Sequence, residues 1–188
     1  ADAALIVALL FLGSVIFGVF GKVAMGPCFG NCLDDARPVF GGTPADRTVV
    51  QAIRLSGWFD ARIFTLPVLW VLHVGYAWLV LGALLTGLAA IGVFPATSAL
   101  HALTVGGVGV FTIGMMARVA RGHTGLPIDV TRTIVLAFLA MNAAALLRVF
   151  GTAWAGGAYT AWVDLSAALW VLGFALFAWH YTPILLRP

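Results

Sequence analysis

The chain has 188 residues, 62% of them hydrophobic and 9% charged, with a mean hydropathy of +1.06. A soluble domain is about 25% charged and about 45–50% apolar, and one of this length still exposes roughly a third of its unfolded surface, so a water-soluble globular fold is excluded. The net charge of +3 comes from basic residues dispersed among apolar segments, not from a clustered basic face, which excludes a nucleic-acid groove.

A spanning helix needs about 20 apolar residues. In chain order, spans are expected over 3–25, 63–91, 96–120, 130–152 and 158–185. The polar stretch 26–62 carries Asp34, Asp35, Arg37, Asp46 and Arg47 and then an amphipathic Val49 to Phe59. It reads as a loop with a short interfacial helix. The uncharged run from 63 to 117 is too long for one helix, and Gly92-Val93-Phe94-Pro95 supplies a break with Pro95 opening the next helix. Gly156-Gly157 separates the last two spans. The period-2 alternation of a membrane barrel is absent, and hydrocarbon admits only barrels and helices. The expected fold is an all-α integral membrane protein, one bundle of about five transmembrane helices. The chain lacks an initiating Met and a signal-peptide pattern, which fits a piece of a longer polypeptide.

Five spans put Lys22, Arg37, Arg47, Arg54, Arg62, Arg118, Arg121, Arg132 and Arg187 on one side and Arg148 alone on the other. The positive-inside rule then places loop 26–62 and the C-terminus in the cytoplasm and residue 1 outside. Trp154, Tyr159 and Trp162 fall at the outer interface, and Trp58, Trp179 and Tyr181 at the inner one, as aromatic belts require.

Titratable groups at membrane depth are costly and point to function. His73 lies about ten residues, or about 15 Å, into its span, near the midplane. His101 falls near the outer end of the third span, His123 past its inner end, and His180 toward the inner end of the fifth. Imidazole ligates heme iron and copper, although a lone membrane histidine also serves as a hydrogen-bonding group between helices. Uniting His73 with His101 requires strongly offset helices. Cys28 and Cys32 share a helical face if their segment is helical, and suit copper(I) or zinc as well as they suit free buried thiols. Their C-x3-C spacing without a following His is not a covalent heme attachment, so any heme is non-covalent. Arg148 and Asp164 are placed to pair, or Arg148 to hold an anion. Met115 and Met116 read as packing, and Gly106, Gly107, Gly109 and Gly114 as points of close helix approach. The string Arg118-Val-Ala-Arg121-Gly-His-Thr-Gly125 has the marks of a helix C-terminus. Capping accounts for its arginines and glycines but not for His123-Thr124.

The stretch HALTVGGVGVFTIGMMARVARGHTGLP, His101 to Pro127, resembles the signature of the NnrS family of bacterial membrane proteins. LHVGYAWLVLG (Leu72 to Gly82) and AALLRVF (Ala144 to Phe150) match that family in order and spacing, and GKVAMGPCFGNCL (Gly21 to Leu33) is a looser echo. Departures are Lys22, Gly30 and Leu126. The resemblance implies a heme- and copper-binding protein of the bacterial inner membrane, tied to denitrification and nitric oxide. Family members run to about twice this length with about twelve spans, so the chain corresponds to the C-terminal part. The implied partners are nitric oxide or a similar small gas, membrane lipid, and a missing N-terminal half or a second copy. The resemblance makes His101, His123 and Arg148 matched positions, with His73 beside them. Those four, with His180 and Arg118, are the expected heme-binding residues (b-type), and His101, His123, Cys28 and Cys32 the expected metal donors. A small-solute transporter lined by Thr104, Thr112, Asn142 and Asp164, an electron-transfer cytochrome subunit and a cofactor-free structural subunit are the alternatives. Whether the protein is an enzyme stays open.

Overall fold

Proline and glycine set the boundaries of the helices. The computed structural model describes residues 44–127, 129–154 and 158–186. The expected span 3–25 and the pair Cys28 and Cys32 lie outside the described residues. By contacts the chain divides at residue 43, and the unit Pro44–Pro188 is the one described here. Helix α1 runs over Pro44–Gly57, α2 over Pro67–Ala90, α3 over Ala96–His123, α4 over Arg132–Gly151 and α5 over Tyr159–Leu185, with a 3-10 turn at Ala61–Thr65 before α2. Helix α1 starts five residues before the expected Val49, because proline at a first helical position loses no hydrogen bond and has its φ already set.

Among the described residues there is no strand, and α2 to α5 are each long and apolar enough to cross a membrane. The protein is an all-α membrane protein. Leu66, extended at φ −118° and ψ 109°, precedes Pro67 at the start of α2, the conformation that a following proline imposes. At its other end Gly92 takes φ 75°, Gly92 N–H donates to Ala89 O (3.1 Å) and Val93 N–H to Leu88 O (2.9 Å). This closes the helix in a Schellman turn that only glycine enters without strain.

The glycines of α3 face α2. Gly106 lies against the Trp78 indole, Gly107 against Leu79 and Gly114 against Val71, while Gly75 and Gly82 of α2 meet Phe111 and Leu103. These pairs fix an antiparallel register with His73 level with Thr112. Within α3 the segment Ala102–Gly109 is π-helical, and α4 ends in a second π-helical stretch, Leu147–Gly151. Gly109 faces Met141 of α4, and Ser98 Oγ lies 3.4 Å from Thr152 Oγ1. Helix α5 packs on α4 through Gly173 against Met141, and Ser166 donates to Ala144 O at 2.8 Å. Trp78 Nε1 crosses from α2 to donate to Asn142 Oδ1 of α4 at 3.1 Å. Val71, Val110, Ile113, Phe138, Met141 and Val149 are fully buried between these helices. In its apolar window α4 is 44% buried and α5 only 17%, so α4 is central and α5 presents most of its apolar surface outward, as hydrocarbon allows.

A Cβ on Gly106 would stand 2.5 Å from Trp78 Cδ2. Gly106→Leu is therefore expected to separate α2 from α3 and to destabilise by about 1–3 kcal/mol. A lowered Tm of the detergent-solubilised protein checks it, and an unchanged Tm counts against the seam.

Candidate cofactor site

The four histidines occupy four levels of the bundle. His73 sits six residues after Pro67, about 9 Å along α2 at 1.5 Å per residue. That is four residues fewer than expected, because Pro67, and not residue 63, opens the helix, while Ala61–Thr65 forms its own turn. Its ring meets Phe59 edge-on at 6.4 Å, and its Nε2 is buried without a hydrogen-bond partner. One turn further on, Tyr76 donates its hydroxyl to Gln51 Oε1 of α1 and packs at 5.2 Å on Trp58. Thus α1 and the residues after it form a polar and aromatic wall over the His73 face of α2.

His101 is half-buried near the start of α3, with Arg148 within electrostatic reach. His123 and Arg118 are exposed at the other end of that helix. Twenty-two residues separate His101 from His123, about 33 Å of helix, so no single metal ion is shared by the two. His180, half-buried on α5, has Nε2 3.5 Å from Thr131 Oγ1, and Arg121 is near it. The level of His73 lies about 17 Å along the axis from each of His101 and His123, about 9 Å from Arg118 and about 15 Å from Arg148. Among the described residues no group of three or more His, Cys, Asp or Glu is placed to hold a metal ion.

The arginine-rich string folds as its spacing predicts, with more detail than the sequence offers. Gly125 takes φ 66°, and Leu126 N–H donates to Arg121 O at 3.1 Å, closing α3 in a second Schellman turn. Thr124, unexplained by sequence, caps the helix: its hydroxyl donates to Ala120 O at 2.8 Å. Arg121 is buried, and its Nε donates to Pro127 O at 2.6 Å. It also lies beside buried Tyr181, whose hydroxyl points at Ala117 O at 3.5 Å. Of the string, His123 is left exposed and outside the cap.

The expected pairing of Arg148 with Asp164 does not form. Ser166 and, through Gly151, Trp162 mark the face of α5 that meets α4. Asp164 is two positions from each, about 200° around the helix, and is exposed. Thr104 bonds Leu100 O, Asn142 bonds Trp78 and Phe138 O, and Asp164 faces away.

Set beside known proteins, the order of these helices and motifs is decisive: the sequence model described as NnrS protein matches residues 2–188. The chain belongs to the NnrS family. No curated protein and no solved structure matches it. Within this NnrS chain, sequence reasoning missed Tyr76, Gln51, Arg121 and Tyr181. The i,i+3 spacing of His73 and Tyr76 was the available signal for the first of these.

Two outcomes are expected. Tyr76→Phe removes the bond that fastens α1 to α2 and should cost about 0.5–1.5 kcal/mol. Arg121→Ala leaves Pro127 O without its charged donor and should cost about 1.5–3 kcal/mol. Both are read as Tm in detergent, and Arg121→Ala should be the more damaging.

Proposed function

We propose that this chain is a heme- and copper-associated membrane protein of nitric oxide metabolism, seated in the bacterial inner membrane with its C-terminus in the cytoplasm. The observation that carries the reading is the His73 imidazole, whose Nε2 is buried with no hydrogen-bond partner. A buried ring nitrogen left unpaired costs about 1–3 kcal/mol. A metal that uses its lone pair removes that cost, and histidine is a common axial ligand of heme iron. His73 would hold the iron from α2, with Phe59 at the ring edge and the Tyr76–Gln51 bond keeping α1 in place. Of Arg118 and Arg148, Arg118 is closer in level to His73 and is the better placed for a propionate. Bound heme iron supplies a coordination position for a small gas such as nitric oxide.

For copper the described residues offer no cluster of donors. The thiols Cys28 and Cys32 have the softness that copper(I) prefers, and copper is assigned to them on that ground and on the family's habit. The orientation is supported by Arg54, Arg118, Arg121 and Arg132 toward one end of the helices against Arg148 at the other.

Purified protein in detergent is expected to show a Soret band and bound copper by metal analysis. His73→Ala should abolish or shift the band, while His101→Ala and His123→Ala should leave it. Absence of both heme and copper would sink the proposal, and an unaltered spectrum in His73→Ala would remove His73 as the ligand.

A further inference from the structure

The His73 side chain as a whole is only half-buried, yet its Nε2 is closed to solvent and has no hydrogen-bond partner. An atom that water does not reach is not reached by an iron or any other acceptor, so the structure holds this lone pair covered. The cover is thin. His73 shares its face of α2 with Tyr76, one turn further on. On that face Phe59 meets the imidazole edge-on at 6.4 Å, Trp58 packs on the Tyr76 ring at 5.2 Å, and Gln51 Oε1 accepts the Tyr76 hydroxyl. Gln51, Trp58 and Phe59 belong to one continuous strap, α1 and the two residues that follow it.

Little of this strap is sunk into the bundle. From Thr48 to Asp60 no side chain is buried, whereas α2 buries Val68, Val71, Gly75 and Trp78. Val49 and Ile53, each two positions from Gln51, lie on the opposite side of α1 and are exposed. Segments with few buried apolar contacts open at the low end of the free-energy scale. Past the strap the chain is pinned again, with Ile63 buried in the 3-10 turn that leads into α2. Phe59 and Asp60, which lie in no helix, stand between strap and anchor. A few such loop positions are enough to absorb a hinge movement.

We propose that α1 with Trp58 and Phe59 is a gate over His73, latched by the Tyr76–Gln51 bond, and that the Nε2 lone pair becomes available only when the strap lifts from α2. The gate deepens the reading of His73 as an iron ligand and rests on that reading for what enters, while the covering itself rests on the buried nitrogen. Apparent affinity for any acceptor is reduced by the fraction of molecules in the open form. Weakening the latch raises that fraction.

The test uses the whole chain in detergent, free of heme, with diethyl pyrocarbonate as the probe. This reagent carbethoxylates an accessible imidazole nitrogen, and peptide mass spectrometry reads the rate at each histidine. Exposed His123 is the internal reference. In wild type His73 is expected to react more slowly than His123. Gln51→Ala and Tyr76→Phe each remove the latch and should raise the His73 rate about two- to ten-fold, the worth of one hydrogen bond, with His123 unchanged. Phe59→Ala takes the ring off His73 with the latch intact and should raise it too, which keeps the test decisive if a latch variant does not fold. A wild-type His73 as reactive as His123, or a wild-type rate in all three variants, would overturn the gate. Hemin added to the same proteins separates the gate from the heme reading. A Soret band that appears faster in the latch variants supports both. Faster carbethoxylation with no Soret band in any protein keeps the gate and removes the heme. A band that is lost in His73→Ala but forms at one rate in wild type and all three variants keeps the heme and overturns the gate.

Discussion

The close approach of α2 and α3 along their glycines is the constraint from which the rest of the arrangement follows. In hydrocarbon there is no hydrophobic drive to bring two apolar helices together, so their separation is set by side-chain size and packing. Gly106, Gly107 and Gly114 on one helix and Gly75 and Gly82 on the other leave room for Trp78, Leu79, Val71, Phe111 and Leu103. Once these pairs interlock, the axial position of every residue on α2 relative to α3 is fixed. That is why His73 is level with the middle of α3 and not with either of its histidines.

Helix α4 then completes the core. Asn142 takes the Trp78 indole N–H, and its own amide donates back to Phe138 O at 2.8 Å. Burying this side chain is tolerable because its polar groups find partners. Met141 is packed between Gly109 of α3 and Gly173 of α5 and touches both neighbours at glycine positions. The flexible thioether suits so irregular a gap.

Much of this was legible in the sequence, and what was missed has a physical cause. The spans were visible because about 20 apolar residues in a row have few other uses, and the break at Gly92 because a reversal needs a residue that tolerates positive φ. The glycines read as helix contacts are helix contacts. His73 lies six residues into α2 and not ten, since hydropathy does not tell Ile63 and Phe64, in a 3-10 turn, from the helix that opens at Pro67. Pairing Arg148 with Asp164 failed on angle: hydropathy gives depth but not the rotational phase of a helix, and it was Ser166, not Asp164, that faced α4. The clasp of Tyr76 on Gln51 joins residues 25 apart across a loop, and the i,i+3 spacing from His73 gives the face of Tyr76 but not its partner. For the candidate site, the separation of the histidines along the bundle was readable, but the face of its helix that each one occupies was not.

The wide helical turns at Ala102–Gly109 and Leu147–Gly151 have a consequence for how this family can vary. A π-helical stretch holds one more residue than the α-helical turn it replaces, so the chain on either side is out of phase by about 100°. Loss of a single residue in the first stretch would restore regular pitch while swinging His101 away from Arg148, leaving the Gly114 contact untouched. Insertions and deletions there are thus a means of re-aiming one end of a helix while its other end stays docked.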